Sequence, residues 1–170
     1  AAKDAATLRE LNRLIRENRI QKTYLCVLTA TPPKQTDILH AYHWKDAKTN
    51  TVTISDHPKA GYREIITEYR VLQQQNGLCL AEITLHTGRT HQIRAHMAHI
   101  HAPLAGDSKY GDRRKNESLH LKHQLLCAYQ LQFHPEADSC LAYLNGKTVT
   151  APLPDFVSRF FPTFSSKNRK

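Results

Sequence analysis

The chain has 170 residues, enough for one hydrophobic core and short for two. Its 24 Lys and Arg against 15 Asp and Glu give a net charge of +9, and an apolar content of 40% excludes a disordered polycation. A basic globular domain points to a polyanionic partner, nucleic acid ahead of anionic membrane, and no apolar run approaches the length of a membrane span.

In chain order, residues 4–18 read as an amphipathic helix. Asp4 is placed to cap it, and Leu8, Leu11, Leu14 and Ile15 form one stripe. Lys22 to Leu28 is strand-like, ended by Pro32 and Pro33. Ile38 to Trp44 and Thr51 to Ile54 suit a hairpin, and residues 56–63 a polar loop. Thr67, Tyr69 and Val71 alternate as a half-buried strand, and Gln73 to Gly77 turns into the next, where Cys79, Ala81, Ile83 and Leu85 alternate.

The densest stretch follows, Leu85 to His96, carrying Arg89, Arg94, His86, His91 and His96. Gly88 supplies a turn, Thr90 is positioned to cap a helix, and Ile93, Met97 and Ile100 fall at helical spacing. Residues 102–111, punctuated by Pro103, Gly106 and Gly111, form a shaped loop, and residues 112–115 a charged surface. Leu125, Cys127, Tyr129, Leu131 and Phe133 alternate as a strand with one inner face. Residues 147–151 give a last short strand, followed by a short helix towards Phe160 and a basic, frayed tail over 165–170. Strands come in runs with few intervening helices, so the expected fold is α+β with a largely antiparallel (mixed) sheet.

Cys26, Cys79 and Cys127 lie in apolar runs, Cys140 lies elsewhere, and no C-x-x-C pair occurs. This is the usage of buried free thiols in a reducing compartment, so a cytoplasmic protein is expected. The histidines cluster, His96 and His99 on one helix face. Without a third ligand or an H-E-x-x-H pattern, however, no metal site is expected.

Thr87-Gly88-Arg89-Thr90-His91-Gln92-Ile93-Arg94, followed by Gly106-Asp107-Ser108-Lys109-Tyr110-Gly111, resembles the RluA-type RNA pseudouridine synthases. Lys22-Thr23-Tyr24-Leu25-Cys26, Thr67 to Leu72 and Ala151-Pro152-Leu153-Pro154 fit the same family in the same order. The resemblance implies isomerisation of uridine to pseudouridine in ribosomal or transfer RNA, on a base flipped from its stack, with no metal or organic cofactor. It implies that Arg94 holds the catalytic carboxylate and that Tyr24 lies against the flipped uracil. Lys22, Arg89, Thr90, His91, Lys109, Arg113 and Arg114 are the expected RNA contacts.

The family's nucleophilic Asp sits in an H-R-L-D-x-x-T-S-G motif, which this sequence lacks. Asp4 is a capping residue, and Asp107 occupies the G-D-x-x-Y-G loop, where the family's Asp is structural. The expectation is a partial catalytic domain over 1–164, incomplete at its N-terminus and inactive alone. Full length it would be a monomer. The fragment is expected to expose an unpaired strand edge, to self-associate, or to be partly disordered near residues 1–20. A non-catalytic RNA-binding module of the same fold is the alternative.

Overall fold

The computed structural model describes residues 1–165, so residues 166–170 of the expected tail lie outside the described part. Asp4, extended in backbone, caps helix α1 (Ala5–Arg16) by accepting the Thr7 N–H at 2.8 Å. The helix is a little shorter than the expected 4–18, because Asp4 is its cap and Asn18 turns the chain at φ +55° into strand β1 (Ile20–Leu28). Then come β2 (Thr36–Asp46), β3 (Thr51–Ser55), β4 (Arg63–Gln75) and β5 (Leu78–Leu85). Helices α2 (Gln92–His99) and α3 (Arg113–Ser118) separate these from β6 (Leu126–Phe133) and β7 (Thr148–Thr150), and α4 (Asp155–Phe160) follows.

All seven strands join one sheet in the order β3-β2-β4-β5-β1-β6-β7, and every pairing is antiparallel. No helix among the described residues is long and apolar enough to cross a membrane. Consecutive residues of β1 face opposite ways, so the strand feeds two cores. Cys26 and Leu28 join Cys79, Ala81 and Ile83 beneath Ile93 and Met97 of α2. Leu25 and Val27 join Leu80, Tyr129, Val157 and Phe161 on the face covered by α4. A small third cluster fixes α1: Leu14, fully buried, packs with Ile20, Leu141 and Phe133.

One sequence expectation changes here. The β1–β6 register shifts between Thr23 and Tyr24, whose partners are Gln130 and Ala128, leaving Tyr129 as an extra residue in β6. The alternation from Leu125 to Phe133 therefore does not describe one inner face. Tyr129 is buried in the α4-side core, whereas Leu131, opposite Lys22, is 37% exposed. The bulge sits beside Tyr24, a placement that re-aims a side chain. The first strand is not one of the sheet's open edges. β1 is bonded on both sides, α1 is capped and packed, and the sheet edges are β3 and the three-residue β7.

Candidate active site

Between β5 and α2 the chain makes a tight turn whose order comes from Gln92, a side chain only 2% exposed. Its Oε1 accepts the Arg89 N–H and the Thr87 hydroxyl, each at 3.0 Å. Its Nε2 donates to the Ile66 carbonyl at 3.1 Å and to Thr67 Oγ1 at 3.0 Å. Thr87 Oγ1 in turn accepts the Ile66 N–H. All four hydrogen-bonding positions of this amide are thereby used, and the turn is tied to β4. Thr90 is not the helix cap. The cap position belongs to His91, in the left-handed region at φ 53°, with no side-chain cap. Thr90 instead offers its carbonyl to His43 Nε2 at 2.9 Å.

Below the turn, His96 Nδ1 lies 2.9 Å from Thr67 Oγ1. Burial pushes His96 down to about 4, so this ring is neutral at pH 7. His99, by contrast, pairs with Asp56 at 2.7 Å. Among the described residues no cluster of three or more His, Cys, Asp or Glu could hold a metal ion.

Arg94 projects from the first turn of α2, and it already has one carboxylate partner within the chain. Nε and Nη2 each donate to Asp107 at 2.7 Å, a side-on fork on a fully buried carboxylate. Burial alone would raise the Asp107 carboxyl. Arg94, with the N–H groups of Tyr110 and Lys109, outweighs burial and holds it below its ordinary value. The Tyr110 ring lies 5.3 Å from the guanidinium. Among the described residues Nη1 of Arg94 meets no acceptor, so one edge of the cation is left for a further one.

The loop carrying Asp107 is itself clamped. Asn116 of α3 accepts the Gly106 N–H at 2.7 Å and donates to the Asp107 carbonyl at 3.0 Å. Gly106 is required there: its φ is +77°, and a Cβ would collide with the His123 carbonyl. Tyr110 then reaches across to β3, accepting the Val52 N–H at 2.9 Å. Its hydroxyl also lies 3.1 Å from His91 Nδ1. Burial, then Arg94 and Lys109, lower the His91 pKa and keep the ring neutral.

These side chains meet in a half-open cleft of about 360 Å³ lined by Tyr24, Leu85, Arg89, His91, Arg94 and Gln124, with Leu126 at its side. Tyr24 comes from β1, Arg94 and His91 from the start of α2, and burial raises the Tyr24 hydroxyl, leaving it protonated at pH 7. Of the residues singled out from the sequence, the cleft unites Tyr24, Arg89, His91 and Arg94. Lys22 lies in an adjoining groove with Thr87, Gly88 and Arg89. Lys109 is spent on the carbonyls of Thr49 and Asn50, and Arg113 pairs with Glu117 on the far side of the Asp107 loop. Arg114 is exposed on α3, outside the cleft. The sequence reading missed Gln92, Thr67 and Tyr110 as organisers. Tyr110 had a signal in its G-D-x-x-Y-G spacing; the other two had none without the β4–α2 contact.

Sheet and cleft together describe an α+β domain with a site at the β5–α2 turn. Comparison makes the class specific: the chain belongs to the RNA pseudouridylate synthase family, whose model matches residues 1–99. An uncharacterized RNA pseudouridine synthase of Chloroflexus aurantiacus is 35% identical over 137 residues, 80% of this chain and 40% of the relative. Ribosomal large subunit pseudouridine synthase C of Buchnera aphidicola is 32% identical over 166 residues, 92% of this chain and 49% of the relative. The chain thus spans less than half the length of these relatives. Among solved structures, human RNA pseudouridylate synthase domain containing 1 superposes with a TM-score of 0.72 at 22% identity, covering 92% of this chain and 64% of that one, a likeness of fold.

Proposed function

We propose that this chain supplies the uracil-facing wall of an RNA pseudouridine synthase acting on structured RNA, ribosomal or transfer. The observation that carries the reading is the meeting of Tyr24 and Arg94, from strand and helix far apart in sequence, in one cleft. In the isomerisation the N1–C1′ bond of uridine breaks, the base turns, a C5–C1′ bond forms, C5 loses its proton and N1 gains one. No redox cofactor is needed to balance that change. Tyr24 would lie against the detached base near C5. Asp107 would hold Arg94 by one edge and leave Nη1 for the nucleophilic carboxylate, so that one guanidinium serves two acids. Arg89 and Lys22 would meet the RNA backbone.

The H-R-L-D-x-x-T-S-G motif is not in this sequence, so the chain by itself is expected to form no pseudouridine. The test compares it with a chain carrying such a segment ahead of residue 1, assayed by tritium release from C5-labelled uridine in ribosomal and transfer RNA. Turnover is expected only with the segment, and Tyr24→Phe should cripple it while RNA affinity stays largely intact. Persistent inactivity of the extended chain on both RNAs would sink the reading.

One observation favours a second reading, an RNA-binding module without catalysis: the Nε/Nη2 edge of Arg94 is already occupied by Asp107. Under it, the extended chain would bind RNA and form no pseudouridine. Under the enzymatic reading the extended chain turns over, and Arg94→Met abolishes that turnover.

A further inference from the structure

We propose a second RNA subsite beside the cleft, in which an unpaired nucleotide stacks its base on Trp44 and sets its phosphate among Lys45, Arg63 and Arg89. It rests on the RNA reading above and extends it to a nucleotide neighbouring the one in the cleft. Trp44, near the end of β2, is 41% exposed, although His43 beside it is buried. Its ring stacks on Tyr62, centroids 6.3 Å apart at 23°, and Lys59 Nζ lies 5.7 Å from the Tyr62 ring on the same loop. Gly61, at φ +80°, turns that loop so closely that a Cβ would touch Trp44. The indole is therefore held by its neighbours rather than left dangling from the strand.

The recess around it, about 290 Å³, is lined by His43, Trp44, Lys45, Gly61, Arg63 and Arg89, with no carboxylate among them. Among the described residues, Lys45, Arg63 and Arg89 enter no ion pair, whereas Arg13, Arg19, Lys34, Arg70, Arg94 and Arg113 do. A supported aromatic face ringed by free cations is the chemistry of unstacked-nucleotide binding, in which the base supplies a π-face and the backbone the charge. A paired helix offers no free base face, so the class of ligand is RNA with unpaired residues. Arg89 also lines the cleft, so the two sites share a wall.

Trp44 is the single tryptophan of the chain, so its emission reports on this recess alone. The chain is titrated with a fluorescein-labelled stem-loop RNA and with a fully paired duplex of equal length, following label anisotropy and tryptophan emission together. The stem-loop is expected to quench Trp44 with the same midpoint as the anisotropy rise, and the duplex to bind with little quenching. Trp44→Ala should weaken stem-loop binding at least about fivefold and leave duplex binding unchanged, and Trp44→Phe should keep most of the affinity. Stem-loop binding with unchanged emission, or equal quenching by the duplex, overturns the subsite and leaves the enzymatic reading standing. Failure of both RNAs to bind at low salt overturns both. Emission that follows protein concentration instead of RNA would make the face a contact between copies and also overturn the subsite.

Discussion

At the scale of the residue, Arg94 and Asp107 define the interior of the site more than any other pair. The carboxylate is fully buried and also holds the N–H groups of Lys109 and Tyr110, so removing the cation strands a desolvated charge. Arg94→Met is expected to cost about 3–5 kcal/mol in urea denaturation. If Arg94→Met shifted the midpoint no more than a surface substitution, the fork would be energetically idle. Arg94 stood out in the sequence because its motif is long and its charge lies near a buried strand. Its partner did not, since nothing in sequence spacing says that the loop at residue 107 folds back beneath α2. That approach depends on Gly106 and the Asn116 clamp, both contacts across the fold.

At the scale of the element, α2 is held by polar contacts that an apolar periodicity cannot reveal. Thr90 fitted a cap by composition. The structure uses Gln92, because β4 brings the Ile66 carbonyl and Thr67 within reach of its amide. Gln92→Leu should destabilise the fold by at least about 2 kcal/mol, leaving buried partners unsatisfied, with the loss read by thermal or urea unfolding. His96 adds a pH dependence. Its folded pKa of about 4 lies below the ordinary 6.5, so the unfolded chain takes up the proton first. This contribution is complete above pH 6.5 and is lost as pH falls towards 4, by about 3 kcal/mol at most. His99 and His40 reinforce the depression and Asp56 opposes it. Urea midpoints at pH 7, 5.5 and 4.5 should fall steeply in the wild type and less in His96→Gln. Parallel slopes would remove His96 as the cause. β6 teaches the same lesson in a strand: its regular alternation was real in sequence, but one bulge divides it between two faces.

At the scale of the whole molecule, the antiparallel α+β architecture was legible because strand periods, Asp4 and the turn residues are local signals. The order of strands was not, since β1 pairs with β5 and β6 and not with β2, the next strand in sequence. That centrality predicts the strongest amide-exchange protection in β1 and β5 and the weakest in β7, whose residues are all exposed. Fast exchange across β1 would contradict it. The same placement governs how the chain reaches its fold. Cys26 must find Ala81 on one side and Leu126 on the other, so the first strand made waits for nearly the last. Closing such distant pairs is slow, and refolding on the order of milliseconds to seconds is expected. On the ribosome, Leu25 to Leu28 would emerge with both edges bare until β5 is synthesised, and with one edge still bare until β6 follows. A stop codon anywhere before Phe133 would therefore yield an aggregation-prone chain, not a smaller domain.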